Sequence, residues 1–204
     1  MDLDKVTIKL TEEADLYDLM HLWNNGEVMK YIGFPEGLGY GYSNMKSWFR
    51  NINKNDYLRH YSIYLKNYGL CGETYYNVSK ENKIANINIK LLSKLRGKGI
   101  AQNVINFIIN EVFKYDLANR IYVNLEPENK RALNFFRKIG FKESERPSFV
   151  EQHGSYLELD ENQWNMEEKK NPLWTYNIVD FYLCNFIFVF SINNNTKFCW
   201  DNSI

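Results

Sequence analysis

The chain has 204 residues, and its 25 Lys+Arg balance 25 Asp+Glu, so it lacks the basic excess that drives non-specific binding to nucleic acid or an anionic membrane. Its cysteines (Cys71, Cys184, Cys199) and histidines (His21, His60, His153) show no ligand spacing, which argues against a disulfide framework and a zinc site, and no metal is expected. The polar start Met1-Asp2-Leu3-Asp4-Lys5 does not read as a signal peptide, and a reducing cytoplasm is the expected compartment.

Val6, Ile8 and Leu10 alternate with polar residues and predict a first strand. Thr11 suits an N-cap, and Glu12, Glu13 and Asp15 suit a first helical turn. Leu16, Leu19, Met20 and Trp23 then recur at helical spacing until Asn25-Gly26. Residues 31–41 hold four glycines and Pro35 and read as a loop. Tyr31, Phe34, Tyr40 and Tyr42, in and beside it, either cover the core or line a groove. Ser43 to Ile52 predicts a second helix. Tyr61–Lys66, Leu70–Val78 and Ile84–Leu92 follow as strands joined by short polar turns, which implies an antiparallel meander.

A Gly-rich turn comes next, Arg96-Gly97-Lys98-Gly99-Ile100-Ala101. Ala101, Val104, Ile105, Ile108, Ile109, Val112 and Phe113 mark a long amphipathic helix behind it. Arg120–Leu125 is a strand reached through that helix, so it should lie parallel to the strand before it. Asn129 suits the N-cap of a further helix, Gly140 its left-handed stop, and Phe141 the residue that packs back. Glu143–Val150 and Ser155–Leu159 read as a closing hairpin around Gln152-His153-Gly154, with Pro147 at an edge or bulge. Glu167 to Pro172 reads as a linker. The run from Trp174 to Ile192 is aromatic and aliphatic, but spans a bilayer only by including Asn177, Asp180 and Asn185. A membrane anchor is therefore not the expected role; an element packed on the domain or on a second subunit, as in a homodimer, is.

A helix N-terminus behind a glycine turn offers free backbone N–H groups and a positive dipole end, and glycines let an anion approach closely. The spacing is neither that of a P-loop nor that of a dinucleotide fingerprint, because Gln102 stands at the third glycine. The segment R-G-x-G-x-A, with Arg96, Gly97, Gly99 and Ala101, resembles the pyrophosphate-binding segment of the GNAT acetyltransferases. A second segment resembles the family's N-x-x-A-x-x-x-Y-x-K-x-G-F through Asn129, Ala132, Lys138, Gly140 and Phe141, with Phe136 where tyrosine is usual. The resemblance covers about residues 5 to 164 and looks most like the branch acting on ribosomal-protein N-termini and its small-molecule relatives.

That resemblance implies an α/β (α+β) GNAT fold: a mixed, mostly antiparallel sheet with a splayed parallel strand pair and helices on both faces. The domain would occupy residues 1–164, with 165–204 as an extension of unassigned role. The loop between the first two helices would border the acceptor site. Acetyl-CoA would be the co-substrate and an amine the acceptor, either a protein N-terminus or a small molecule. Ile89 and Leu91 would hold the pantetheine arm through main chain, and Arg96, Gly97, Lys98, Gly99, Ile100 and Ala101 the pyrophosphate. Asn129, Ala132, Phe136 and Lys138 would line the other side. Phe136 cannot donate a proton, so the family's acid position is vacant. Asn86 and Asn124 stand where relatives carry glutamates. Glu73 and Glu126 are the remaining candidates for the base, with Glu73 slightly favoured. A catalytically weak acyl-CoA sensor is the alternative, and a protein tethered or docked through residues 174–192 is another.

Overall fold

The computed structural model describes residues 6–170. Seven strands form one mixed sheet: β1 (Val6–Leu10), β2 (Leu58–Leu65), β3 (Gly69–Ser79), β4 (Ile84–Leu91), β5 (Arg120–Leu125), β6 (Lys142–Glu143) and β7 (Ser155–Asp160). Their order is β1-β2-β3-β4-β5-β7-β6. Every neighbouring pair is antiparallel except β4 and β5. The helices are α1 (Leu16–Trp23), α2 (Gly26–Met29), α3 (Tyr42–Phe49), α4 (Ile100–Lys114), α5 (Lys130–Ile139) and α6 (Glu161–Lys170).

The sheet separates two apolar clusters. Strand alternation sends Ala85, Ile87 and Leu91 of β4 and Ile121 and Val123 of β5 into one cluster with α4 and α5. The i, i+3, i+4 stripe of Val104, Ile105, Ile108, Ile109 and Val112 fills it from above. The other cluster joins Leu16, Leu19, Leu22 and Trp23 of α1 to Met45 of α3, with Leu70 and Leu92 packed against them. Trp164 of α6 is buried in the α4 cluster and donates its indole N–H to Asn110 Oδ1 at 2.9 Å.

The parallel pair is short. β4 and β5 are in register only at Ile84↔Arg120, Ala85↔Ile121 and Asn86↔Tyr122. Beyond those residues the strands part, leaving Ile87–Leu91 and Val123–Leu125 without pairing across the gap. β5 is still held on its other side by β7 along its whole length.

Three local expectations give way. Glu167 to Lys170, expected in a linker, continue α6. Thr11 caps no helix. Its hydroxyl lies 2.7 Å from His60 Nδ1 and 2.9 Å from Ser62 Oγ, and a 3-10 turn over Glu13–Asp15 precedes α1. The closing hairpin around residues 152–154 is also absent. β6 is two residues long and pairs with the middle of β7, Lys142 opposite Glu158, so residues 144–154 form a long connection. Pro147 has no N–H to donate to a ladder, and Arg146 instead donates to the carbonyls of Glu151 and Gly154 at 2.9 and 2.7 Å. The apolar run of residues 174–192 lies outside the described residues. No helix among the described residues is long and apolar enough to cross a membrane.

Candidate active site

The gap between β4 and β5 is the starting point. The Leu92 N–H donates to the Cys71 carbonyl at 3.0 Å, and the Thr74 hydroxyl donates to the Asn88 carbonyl at 2.7 Å. Both tie even-numbered positions to β3, so strand alternation turns the main-chain groups of Ile87, Ile89 and Leu91 toward the gap. Those groups form an open strand edge for an amide-containing chain to pair with. The Leu91 carbonyl is already taken by Arg96 Nε at 3.1 Å, which leaves its N–H.

At the end of β4 a short 3-10 turn over Ser93–Leu95 leads into the glycine turn. Gly97 and Gly99 adopt φ of 80° and 82°, a region open to glycine and strained for other residues. Gly99 sits at the N-cap of α4, so the N–H groups of Ile100 and Ala101 have no carbonyl one turn back. Lys98 projects from the exposed turn between the glycines, while Ile100 is buried and anchors the helix start in the core.

Arg96 does not simply extend into this space. Its guanidinium also donates to the Glu27 carbonyl at 3.1 Å and straps the turn to α2. Burial pulls its pKa down, the adjacent positive charge of Arg131 adds to that, and Glu27 acts the other way. Arg131 is a residue that sequence reasoning passed over. A Cβ at Gly97 would stand 2.9 Å from its Nη2, so this guanidinium lies directly against the glycine turn. One signal for it was legible: the first turn of α5 holds Lys130 and Arg131 and no acid, against the sign a helix dipole prefers, as suits an end that receives an anion from outside the chain.

The other α5 residues divide by role. Asn129 caps the helix, its Oδ1 accepting from the Ala132 N–H at 3.2 Å, which leaves its NH2 group. Ala132 is half-buried and Lys138 is exposed in the last turn. Phe136 is buried in the α4 cluster, edge-to-face with Phe135 and Phe141 at 5.2 Å. The Phe141 N–H closes the helix on the Phe136 carbonyl at 3.1 Å.

The opposite face of the sheet carries a polar network. Glu73 is 1% exposed and its carboxylate has three partners. Trp23 Nε1 donates to it at 2.6 Å, His60 Nε2 lies 3.1 Å away, and the Lys90 ammonium pairs with its other oxygen. A carboxylate only accepts, so His60 Nε2 carries a proton in this contact. Ser62, Thr11 and His60 extend the chain inward. The Lys90 ammonium also sits 5.8 Å from the Trp23 ring and 5.7 Å from the Tyr75 ring. Burial alone would raise the Glu73 carboxyl; the charges of Lys90 and His60, and their hydrogen bonds, outweigh burial and bring it down to about 2. At that value it is a poor proton acceptor near neutral pH. Glu126 differs. It lies half-buried just past the end of β5, its carbonyl accepting from the Asn129 N–H at 2.9 Å, and its carboxylate forms no ion pair among the described residues.

The wall beside the gap is aromatic and amide-rich. The Tyr75 hydroxyl donates to Asn86 Oδ1 at 3.3 Å, and Tyr122 stacks on Tyr156 at 5.4 Å. The Arg146 guanidinium covers Tyr156 at 5.7 Å. Glu158 is engaged by the Tyr156 hydroxyl at 2.5 Å and by Arg120 at 3.5 Å. Among the described residues no group of three or more His, Cys, Asp or Glu is placed to hold a metal ion.

Solved structures share this architecture. The spermidine N-acetyltransferase of Vibrio cholerae, in complex with CoA and spermine, matches with a TM-score of 0.67 at 18% identity, over 79% of this chain and 98% of that one. The aminoglycoside acetyltransferase AAC(6')-Ib, in complex with coenzyme A, matches with a TM-score of 0.64 at 16% identity, over 79% and 98%. An uncharacterised N-acetyltransferase, p20, of Bacillus licheniformis is 24% identical over 144 residues, covering 68% of this chain and 80% of that protein. The family model described as the acetyltransferase (GNAT) domain matches residues 5–142, well over half of the sequence. The chain therefore belongs to the GNAT acetyltransferase family.

Proposed function

We propose that this protein transfers an acetyl group from acetyl-CoA to a primary amine, and that it does so in the gap between β4 and β5. The observation that carries the proposal is the continuity of that gap with an anion-binding turn. An open strand edge at Ile87–Leu91 runs into two left-handed glycines, two free helical N–H groups and the Arg131 guanidinium. An amide-containing arm ending in a diphosphate fits such a surface: main-chain pairing for the amides, an N-terminal helix end for the anion. Ile89 and Leu91 would pair with the arm, Gly97 to Ala101 with Lys98 and Arg131 would hold the phosphates, and Asn129, Ala132 and Lys138 would border the far side. Phe136 would support that side through packing.

When bound, acetyl-CoA supplies the acetyl group as a thioester. The acceptor ammonium must lose a proton before its nitrogen lone pair can attack. Glu73 is committed to Lys90, so Glu126 is the carboxylate left to take that proton, directly or through water. The new N–C bond then replaces the C–S bond. Phe136 has no proton to give, so protonation of the leaving sulfur falls to water; a thiol pKa near ~8.5 makes that undemanding. Orientation of two substrates in one gap accounts for much of the rate.

The printed ligands of the relatives, spermine and CoA in one, coenzyme A in the other, support an amine acceptor and an acyl-CoA donor. A polycation wants free carboxylates, and the buried Glu73 and half-buried Glu158 of the aromatic face are both paired. A protein N-terminus or a small monoamine therefore fits better than a polyamine. Thiol release from acetyl-CoA across a panel of peptides, monoamines and polyamines tests the proposal. Binding of acetyl-CoA without release for any amine would instead favour an acyl-CoA sensor.

A further inference from the structure

Among the described residues one buried side-chain oxygen has no hydrogen-bond partner: Oδ1 of Asn124. A shielded carbonyl oxygen without a donor costs stability, and a fold that keeps one leaves it ready to accept from a donor outside the chain. Its position says where that donor comes from. Tyr122 is the last β5 residue in register with β4, opposite Asn86. Asn124 is the next β5 residue on the same face, in the stretch where β4 has parted. Its main chain is paired to β7 opposite Tyr156, so it is fixed. Alternation places Ile121 and Val123 in the α4 cluster and turns Tyr122 and Asn124 to the other face, with Tyr75, Asn86 and Lys90.

We infer that Asn124 Oδ1 receives an N–H of the acceptor amine and orients its lone pair into the gap. This rests on the acetyl-transfer reading above. The pantetheine amides would pair with main chain in the plane of the sheet, whereas Asn124 Oδ1 stands off that plane, on the face away from α4 and α5. An amide oxygen is neutral and does not take up a proton near neutral pH, so Asn124 positions the amine and is not its base. The acceptor it suits is a monoamine presenting N–H to an uncharged oxygen, not a polycation seeking a carboxylate.

Steady-state kinetics and acetyl-CoA titration calorimetry on Asn124→Leu and Asn124→Asp test this. Asn124→Leu should raise the acceptor KM about tenfold, the size of one lost hydrogen bond, with acetyl-CoA Kd within about twofold of wild type. Asn124→Asp keeps the accepting oxygen, so it should retain the acceptor KM and add an acid-side ionisation to the pH profile of kcat/KM. An unchanged acceptor KM in Asn124→Leu overturns the inference. So does an acetyl-CoA Kd weakened as much as the acceptor KM, which would assign the oxygen to the arm, and so does Asn124→Asp behaving as Asn124→Leu. If wild type itself releases no thiol with any amine, the acetyl-transfer reading fails and this inference falls with it. Turnover with an unchanged Asn124→Leu KM removes the inference alone.

Discussion

Glu73 shows how its neighbours decide what a buried carboxylate can do. Lys90, His60 and Trp23 satisfy it, and removing its charge leaves the Lys90 ammonium opposite a neutral group. Glu73→Gln should therefore destabilise the fold by about 3–5 kcal/mol, the cost of breaking a buried pair, as read by urea denaturation. It should leave the shape of the pH profile of any residual activity unchanged; loss of a basic limb with intact stability would make Glu73 the base after all. The lowered carboxyl value also sets an acid limit. The paired, charged form contributes stability above the ordinary carboxylate pKa, and that contribution is lost as pH falls from about 4.5 toward about 2. Phe136 makes a parallel case. Its ring packs on Phe135 and Phe141, so Phe136→Ala should cost about 3–5 kcal/mol. Phe136→Tyr should alter the rate little, as measured by thiol release.

At the level of elements, the glycine turn and the start of α5 act together. Gly97→Val would place a side chain at φ 80° and drive its Cβ to 2.9 Å from Arg131 Nη2. Calorimetry should show acetyl-CoA binding abolished in a folded Gly97→Val variant. Arg131→Ala should weaken binding and flatten its dependence on salt, since one screened charge is removed. Much of this was legible in the sequence. The strand–turn–helix pattern from Ile84 to Phe113 located the turn, and Asn129 with Gly140 bounded α5 through the chemistry of helix ends. What escaped depended on contacts distant in sequence. His60 pairs with Thr11 and Glu73, 49 and 13 residues away, and no local spacing marks that. The short β6 escaped for a related reason: a period-two pattern in Glu143–Val150 cannot reveal that Arg146 finds carbonyl partners within its own loop.

For the whole molecule, the sheet places an aromatic, amide-rich wall on one face and the buried α4–α5 core on the other, with the parting of β4 and β5 between them. α6 completes that core through Trp164, so we propose that the catalytic domain extends to Lys170 and that residues 171–204 are dispensable for acetyl-CoA binding. A chain ending at Lys170 should keep wild-type affinity by calorimetry, whereas Trp164→Ala in the full chain should lower stability by about 3–5 kcal/mol. The most direct test of the account is acetyl-CoA-dependent thiol release by the full-length wild type, measured beside Gly97→Val over a panel of monoamines, peptides and polyamines. Release is expected with a monoamine or peptide N-terminus, weaker release with polyamines, and none with Gly97→Val. Undiminished release by a folded Gly97→Val variant, or no acetyl-CoA binding by the wild type, would contradict it.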